Sequence, residues 1–259
     1  MLKELYIAGL GMQNQQTRLE VVANNIANAA STGFKRASVF ERNMQDARAN
    51  FYNVKGDVEQ NDPPIGSYYD FSNGAFEKTD NPLDMSIDGK GFFFLKDDEG
   101  KEFLSRAGNF QLNEDGTIVA KDGKYLMGVD GIINVSKEIL SNHQTTNDNK
   151  ENGIRINDQG EVFVNDFSVG KVKIVDIQDY KTLQRISNQE FIATWESELQ
   201  DVNPDNVNIK QGWLESSNVN IVSEMVQMIE LQRMFEAGSK VIQTNDGTLD
   251  KAIGIGKYY

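Results

Sequence analysis

The chain has 259 residues, with 39 acidic and 26 basic side chains, a net charge of −13, no cysteine and one histidine. This negative charge repels phosphate backbones, so nucleic acid is not expected as a partner. Without cysteine the chain can form no disulfide, thiolate nucleophile or zinc–thiolate site, and one histidine cannot supply a multi-histidine metal site.

The first thirty residues are predicted to form an amphipathic helix. Leu5, Met12, Leu19 and Ile26 recur at seven-residue intervals, which places them on one helical face. The helix is predicted to end near Asn28. Its charged residues break up the apolar core that a cleaved signal peptide needs, and no stretch of the chain approaches the ~20 apolar residues of a membrane span.

The middle of the chain is predicted to be a β domain between two linkers. Residues 36–82 are predicted as an extended linker, 83–200 as the β domain and 201–216 as a return linker. Four Asp-Gly pairs, each suited to a tight turn, occur between residues 83 and 131. Short β-prone runs separate these turns, including 91–95, 102–105, 117–120 and 169–177, and their spacing predicts an antiparallel sandwich or irregular barrel.

The C-terminal segment is predicted to be a long helix, capped by Asn218 or Asn220. Its apolar residues recur at seven-residue intervals, with Met225 on an adjacent line: Ile221, Met228, Phe235, Ile242 and Leu249. Gly247, Gly254 and Gly256 predict less helical last turns. We call the two sets of seven-residue repeats, one at each terminus, the apolar seams. A long helix that is apolar along one narrow stripe needs a partner helix.

These elements predict an α+β protein. Residues 1–35 and 217–259 are expected to form a coiled-coil stalk that carries the all-β central domain. The alternative from the same residues is an ordinary pair of packed helices within one globular fold.

The sequence contains no motif that indicates a catalytic site. The Asp-rich turns resemble calcium loops only superficially, because Lys150 occupies a ligand position in the best register. We therefore predict no catalytic, cofactor or metal site, and no enzymatic activity. The alternative from a different class is a secreted β protein that binds or cleaves glycans, since two acids brought together by a fold are enough for glycoside hydrolysis.

Motifs at both termini resemble those of the bacterial flagellar rod and hook proteins. The N-terminal motifs are Ala23-Asn24-Asn25-Ile26-Ala27-Asn28 and Thr32-Gly33-Phe34-Lys35, and inward lie Asn81-Pro82-Leu83-Asp84 and Arg106-x-Gly108-x-Phe110. The C-terminal motifs are Ser217-Asn218-Val219-Asn220, Glu224-Met225-Val226 and Gln232-Arg233-x-Phe235-Glu236. Within the family the chain looks most like the proximal rod F-type protein, and next like the distal rod protein.

The resemblance implies a structural subunit of the basal-body rod, exported by the flagellar type III apparatus without signal cleavage and assembled in the periplasm. It would bind copies of itself and other rod and hook-basal-body proteins through its terminal helices, forming a tube that transmits torque. The predicted assembly residues are Leu5, Met12, Leu19, Asn24, Asn25, Ile26, Asn28, Ile221, Met225, Met228, Gln232, Arg233, Phe235 and Ile242. The three asparagines are expected to bond across subunits or to cap the first helix.

Overall fold

The structure is a computed structural model that describes residues 2–41, 65–135, 153–164, 167–194, 199–201 and 208–256. The central part of the predicted linker, 42–64, and the polar segment 136–152 lie outside these residues. Two α-helices, α1 (Leu2–Ala27) and α2 (Ile221–Gly256), lie at the two ends of the chain. A short 3-10 helix, Tyr180–Thr182, lies among the strands.

Nineteen strands lie between the helices in the described part of the chain. The first ten are β1 (Ala37–Glu41), β2 (Ile65–Tyr69), β3 (Phe76–Lys78), β4 (Met85–Ile87), β5 (Phe92–Lys96), β6 (Glu102–Ser105), β7 (Phe110–Leu112), β8 (Ile118–Ala120), β9 (Tyr125–Gly128) and β10 (Gly131–Ile132). The others are β11 (Ile154–Ile156), β12 (Glu161–Val164), β13 (Phe167–Lys171), β14 (Ile174–Ile177), β15 (Leu183–Arg185), β16 (Glu190–Ala193), β17 (Leu199–Asp201), β18 (Ile209–Gln211) and β19 (Trp213–Glu215).

The chain divides into two compact units, each built from separate segments. Unit 1 comprises Met1–Ala27, Ala37–Asp70 and Val219–Tyr259, and unit 2 comprises Asn28–Arg36 and Phe71–Asn218. Unit 1 holds both helices and the antiparallel pair β1–β2. Helices α1 and α2 run antiparallel, because Asn25 near the end of α1 meets Glu224 at the start of α2, and Met12 lies beside Gly238 farther along α2.

Unit 2 is an all-antiparallel β structure. Its largest sheet has ten strands, with the main order β15-β16-β6-β5-β9-β8-β7 and with β10, β14 and β17 branching from it. Strands β11-β12-β13 form a second sheet, and β4-β18 and β3-β19 form two-stranded sheets. The described strands form open sheets and no closed barrel, so the barrel alternative is wrong for this part of the chain.

The core of unit 2 is filled by the apolar residues of these strands. Phe93 on β5 packs edge-on against Phe110 on β7, with ring centroids 5.2 Å apart. Gly108 is required at this point, because a Cβ there would lie 1.6 Å from the carbonyl oxygen of Met85. The glycine and phenylalanine of the Arg106-x-Gly108-x-Phe110 motif are therefore packing residues.

Three local expectations differ from the structure. The segment 169–177 is not one strand: β13 and β14 belong to different sheets. The predicted linkers 36–82 and 201–216 contain strands that pair over long sequence separations: β3 of the first pairs with β19 of the second, and β18 of the second pairs with β4 of the β domain. Helix α2 continues through Gly247 and Gly254 to Gly256, so the glycines do not end it.

Candidate assembly surface

The face of α2 with the least exposed side chains has a regular four-three spacing. Its members are Glu224, Met228, Leu231, Phe235, Gly238, Ile242 and Asn245. Met228, Phe235 and Ile242 of the predicted seam are half-buried on this face. Leu231 is 3% exposed, and the seven-residue count had missed it. Its position three residues after Met228 was the available signal, because i and i+3 residues share a helical face.

The matching face of α1 contains three of the predicted residues. Met12, Leu19 and Ile26 are half-buried, and Val22 between them is buried. Leu5 lies on the same helix, among the residues whose side chains are not described. The two seams thus contribute to packing within one chain, at the pair of helices in unit 1.

Ile221 and Met225 do not join this face, although the sequence pattern placed Ile221 on the seven-residue line and Met225 on an adjacent one. Both are exposed, and so are Gln232 and Arg233. The reason is that Glu224 holds the inward position in the first turn of α2, which turns its apolar neighbours outward.

These neighbours include a compact apolar surface on the outer side of α2. We call Val222, Met225, Val226 and Ile229 the outer stripe; their i, i+3, i+4, i+7 spacing places them together on one helical face. Val222 is 71% exposed and Ile229 is 50% exposed. Four large apolar side chains grouped in this way mark an interaction surface more often than scattered single ones do.

The three predicted asparagines behave differently from one another. Asn25 is buried inside α1 and bonds within the chain: its amide nitrogen donates to the Ala37 carbonyl at 2.8 Å and to Glu224 Oε2 at 3.1 Å, and its oxygen accepts from the Ala37 N–H at 3.0 Å. The expectation that Asn25 caps α1 is therefore wrong. Asn24 is exposed, and buried Asn28 accepts from the Ser31 hydroxyl at 3.3 Å.

The cap of α2 is Asn220. Its side-chain oxygen accepts from the Ser223 N–H at 3.1 Å, which satisfies one free amide of the first turn. Asn218, the other candidate, has a different role within unit 2: it accepts from the Arg36 N–H at 2.7 Å and donates to the Ser72 carbonyl at 3.2 Å.

A buried charge cluster in unit 2 joins two of the motif segments to β19. Glu215 on β19 accepts from Lys35 Nζ at 2.6 Å, from the Gly74 N–H at 2.9 Å and from Arg106 at 3.5 Å. All three charged side chains are at most 2% exposed. Burial lowers the pKa of the Arg106 guanidinium, and the Glu215 carboxylate opposes that shift. We call Lys35, Arg106 and Glu215 the buried ion cluster.

A second charged group links β16 to the turn between β8 and β9. Lys124 donates to Glu190 at 2.7 Å and also pairs with Asp122. Burial raises the pKa of Glu190, while the hydrogen bond from Lys124 opposes the rise. This group crosslinks the large sheet.

The described residues include neither a cluster of metal-ligand side chains nor a membrane-spanning helix. They contain no group of three or more acidic or histidine side chains placed to hold a metal ion. Among them there is also no helix that is both long and apolar enough to cross a membrane. What the described residues do offer is the outer stripe in unit 1 and the buried ion cluster in unit 2.

Three family models match successive parts of the chain. They are described as flagella basal body rod protein (residues 5–35), flagellar hook protein FlgE/F/G D1 domain (86–164) and flagellar basal body rod FlgEFG protein C-terminal (210–255). The first match contains most of α1, and the last contains most of α2.

Similar proteins match over nearly the full chain. The flagellar basal-body rod protein FlgG of Agrobacterium fabrum is 31% identical, over 95% of this chain and 96% of its own. FlgG of Bacillus subtilis is 30% identical, over 98% and 99%. FlgF of Caulobacter vibrioides, also a basal-body rod protein, is 29% identical over 90% of each. Relatives of both names match, so the proximal and distal types are not separated, but the chain belongs to the flagellar basal-body rod protein family.

Proposed function

We propose that this protein is a non-enzymatic structural subunit of the flagellar basal-body rod. It binds copies of itself and other rod and hook-basal-body proteins through its helical unit, and the resulting tube transmits torque. Family membership supports the rod assignment. The observation that carries the assembly role is the outer stripe, an apolar surface left exposed after α1 and α2 have packed together.

The packing of the seams within the chain changes which residues serve assembly. The four-three spacing along α2 supports a coiled-coil arrangement with α1. Because Met228, Phe235 and Ile242 lie on the half-buried face, they are less available to another subunit. Ile221 and Met225 of the predicted set remain available, together with Val222, Val226 and Ile229.

Among the side chains of α1 that the structure describes, the exposed side carries no comparable apolar stripe. That side presents small or polar residues, such as Gln16, Glu20 and Ala23. A stripe that meets a different surface on the next subunit makes a heterologous contact, which generates a ring if the rotation closes and an open helical filament if it does not. This is the type of contact that a tube requires.

Burial of the stripe contributes part of the free energy of assembly. Complete burial of a large apolar side chain contributes about 1.5–3 kcal/mol, so four half-exposed side chains could contribute roughly 4 kcal/mol per contact. A cooperative tube adds such contacts from many subunits.

The test is Ile229→Asp, which places a charge in the stripe. We expect the purified chain to keep its helical circular dichroism while its assembly weakens about 30- to 1,000-fold, because burial of an unpaired carboxylate costs roughly 2–4 kcal/mol. Cells that carry the variant should lose motility. Sedimentation of assembled material measures the first effect, and swimming assays measure the second.

Two further variants separate assembly from folding. Gln227 is exposed and lies outside the stripe, so Gln227→Asp should assemble as wild type does. Phe235→Asp should reduce helix content, because Phe235 lies on the half-buried face. A motile Ile229→Asp strain with normal rods would refute the assembly role of the stripe.

Export and location follow from the same proposal. The chain is expected to pass through the flagellar type III apparatus without signal cleavage and to reside in the periplasmic rod, in either the proximal or the distal part. The intact mass of the protein from purified basal bodies tests this, since cleavage of a leader would lower it. Position-specific labelling along the rod would separate proximal from distal.

A further inference from the structure

The apolar contacts between α1 and α2 do not by themselves define a single register. In the structure Met12 lies beside Gly238, and Asn25 meets Glu224. A shift by one heptad would bring Leu19 beside Gly238 and Ile26 near Leu231. Leu19, Val22 and Ile26 would still face apolar residues or glycine, and only Met12 among the described seam residues would move beside a polar one, Asn245. Burial alone therefore discriminates poorly between the two arrangements.

The polar contact does discriminate. Asn25 and Glu224 are both fully buried. The Asn25 side chain has one acceptor oxygen and two N–H donors; the oxygen and one donor engage Ala37, and the amide nitrogen also donates to Glu224. Ala37 belongs to β1, so these bonds fix where the amide lies before α2 is considered.

The shifted register would leave this amide without its partner. Leu231 would replace Glu224 opposite Asn25, and a leucine side chain cannot accept a hydrogen bond. A buried donor without an acceptor and a displaced carboxylate are both unfavourable. Setting the register of packed helices is the best-attested role of buried polar residues. We infer that the Asn25–Glu224 pair sets the register in which α1 and α2 associate.

This inference concerns the free chain and rests on the proposed function only for its consequence. The register fixes which residues of α1 lie beside the outer stripe, and thus the surface that a second subunit would meet. A different register would place other residues of α1 beside the outer stripe, although the stripe itself would keep the same four residues. The Asn25–Glu224 pair is therefore a positioning element for assembly.

The absence of native cysteine allows a direct test by disulfide trapping. Gly238→Cys is combined with Met12→Cys to report the observed register, or with Leu19→Cys to report the shifted one. Seven residues span about 10.5 Å of helix, farther than the Cα separation that a disulfide tolerates, so each pair reports one register. Dilute purified chain is oxidised briefly, and intrachain crosslinking is measured by mass spectrometry.

We expect the ratio of Met12 to Leu19 crosslinking to fall about tenfold in Glu224→Leu, in keeping with the loss of one charge-assisted hydrogen bond. Glu224→Gln keeps an acceptor and should restore the ratio. Gln227→Ala, a change at an exposed residue one turn after Glu224, is the matched control and should leave the ratio unchanged.

An unchanged ratio in Glu224→Leu would overturn the inference. Loss of crosslinking at both positions would also overturn it, because the pair would then provide stability and not register. Since no assembled rod is present, this result is independent of the outcome for Ile229→Asp.

Discussion

Replacement of Glu215 by glutamine tests the energetic role of the buried ion cluster. The carboxylate is the anion that faces two buried cations, Lys35 at 2.6 Å and Arg106 at 3.5 Å. Glu215→Gln removes that charge. It also replaces one carboxylate oxygen by an NH2 group, which cannot accept the hydrogen bonds that Lys35, Gly74 and Arg106 donate to Glu215. Removal of one partner from a buried ion pair costs about 3–5 kcal/mol, because the remaining charge stays desolvated.

The expected loss is large on the scale of unit 2. For a domain of this size each kcal/mol lowers the melting temperature by roughly 2–4 °C, so a decrease on the order of 10 °C is expected. Lys35→Met should cost less, about 1–2 kcal/mol, since it leaves Glu215 paired with Arg106. The double variant should be less destabilised than the sum of the two, because the two sites share one interaction.

Urea unfolding followed by tryptophan fluorescence measures these effects. The chain has two tryptophans, and Trp195→Phe leaves Trp213, two residues before Glu215, as the reporter. Glu102→Gln alters an exposed carboxylate on β6 and should stay within about 0.5 kcal/mol of wild type. If Glu215→Gln cost less than about 1 kcal/mol, or no more than Lys35→Met, the carboxylate would not be the centre of the buried ion cluster.

Three other predictions concern pH and two glycines. Burial raises the pKa of Glu190 above its usual 4.5, so the stability linked to its proton is complete below about pH 4.5 and is lost as the pH rises through the raised value. Glutamine does not titrate, so Glu190→Gln does not lose this stability as the pH rises. In urea titrations the free energy of unfolding of the variant, minus that of wild type, should therefore increase from pH 4 to pH 7; a constant difference would contradict the prediction. Gly247→Ala should stabilise α2 by about 0.5–1 kcal/mol in thermal melts of helix ellipticity, because its Cβ meets nothing within 4 Å; a lower melting temperature would count against this. Gly33→Ala should destabilise unit 2 by about 3 kcal/mol or more in calorimetry, because Gly33 has φ +67° and a Cβ there would lie 2.3 Å from the Ala107 backbone nitrogen; a melting temperature equal to wild type would exclude the clash.

Much of the secondary structure was predictable because it depends on local patterns. The seven-residue repeats predicted both helices, and the Asp-Gly turns with β-prone runs predicted most strands of the β domain. The glycines of α2 misled the prediction because a helix tolerates glycine at about 1 kcal/mol each, and the rest of a long helix can outweigh that cost. The short strands β3, β4, β18 and β19 were missed since they depend on pairing partners more than a hundred residues away.

The amino-acid sequence alone determined the two helices, the intervening β structure and, through motifs at both termini, the family. Only the tertiary structure decided which side of each helix is available. A seven-residue repeat places Ile221 and Phe235 on one line, but the buried Asn25–Glu224 contact and the packing of Leu231 set the rotation of α2, so that Ile221 faces outward while Phe235 is half-buried. Likewise, no local pattern reveals that Lys35, Arg106 and Glu215 share one buried site, because charged residues normally lie at the surface and only the fold brings these three together.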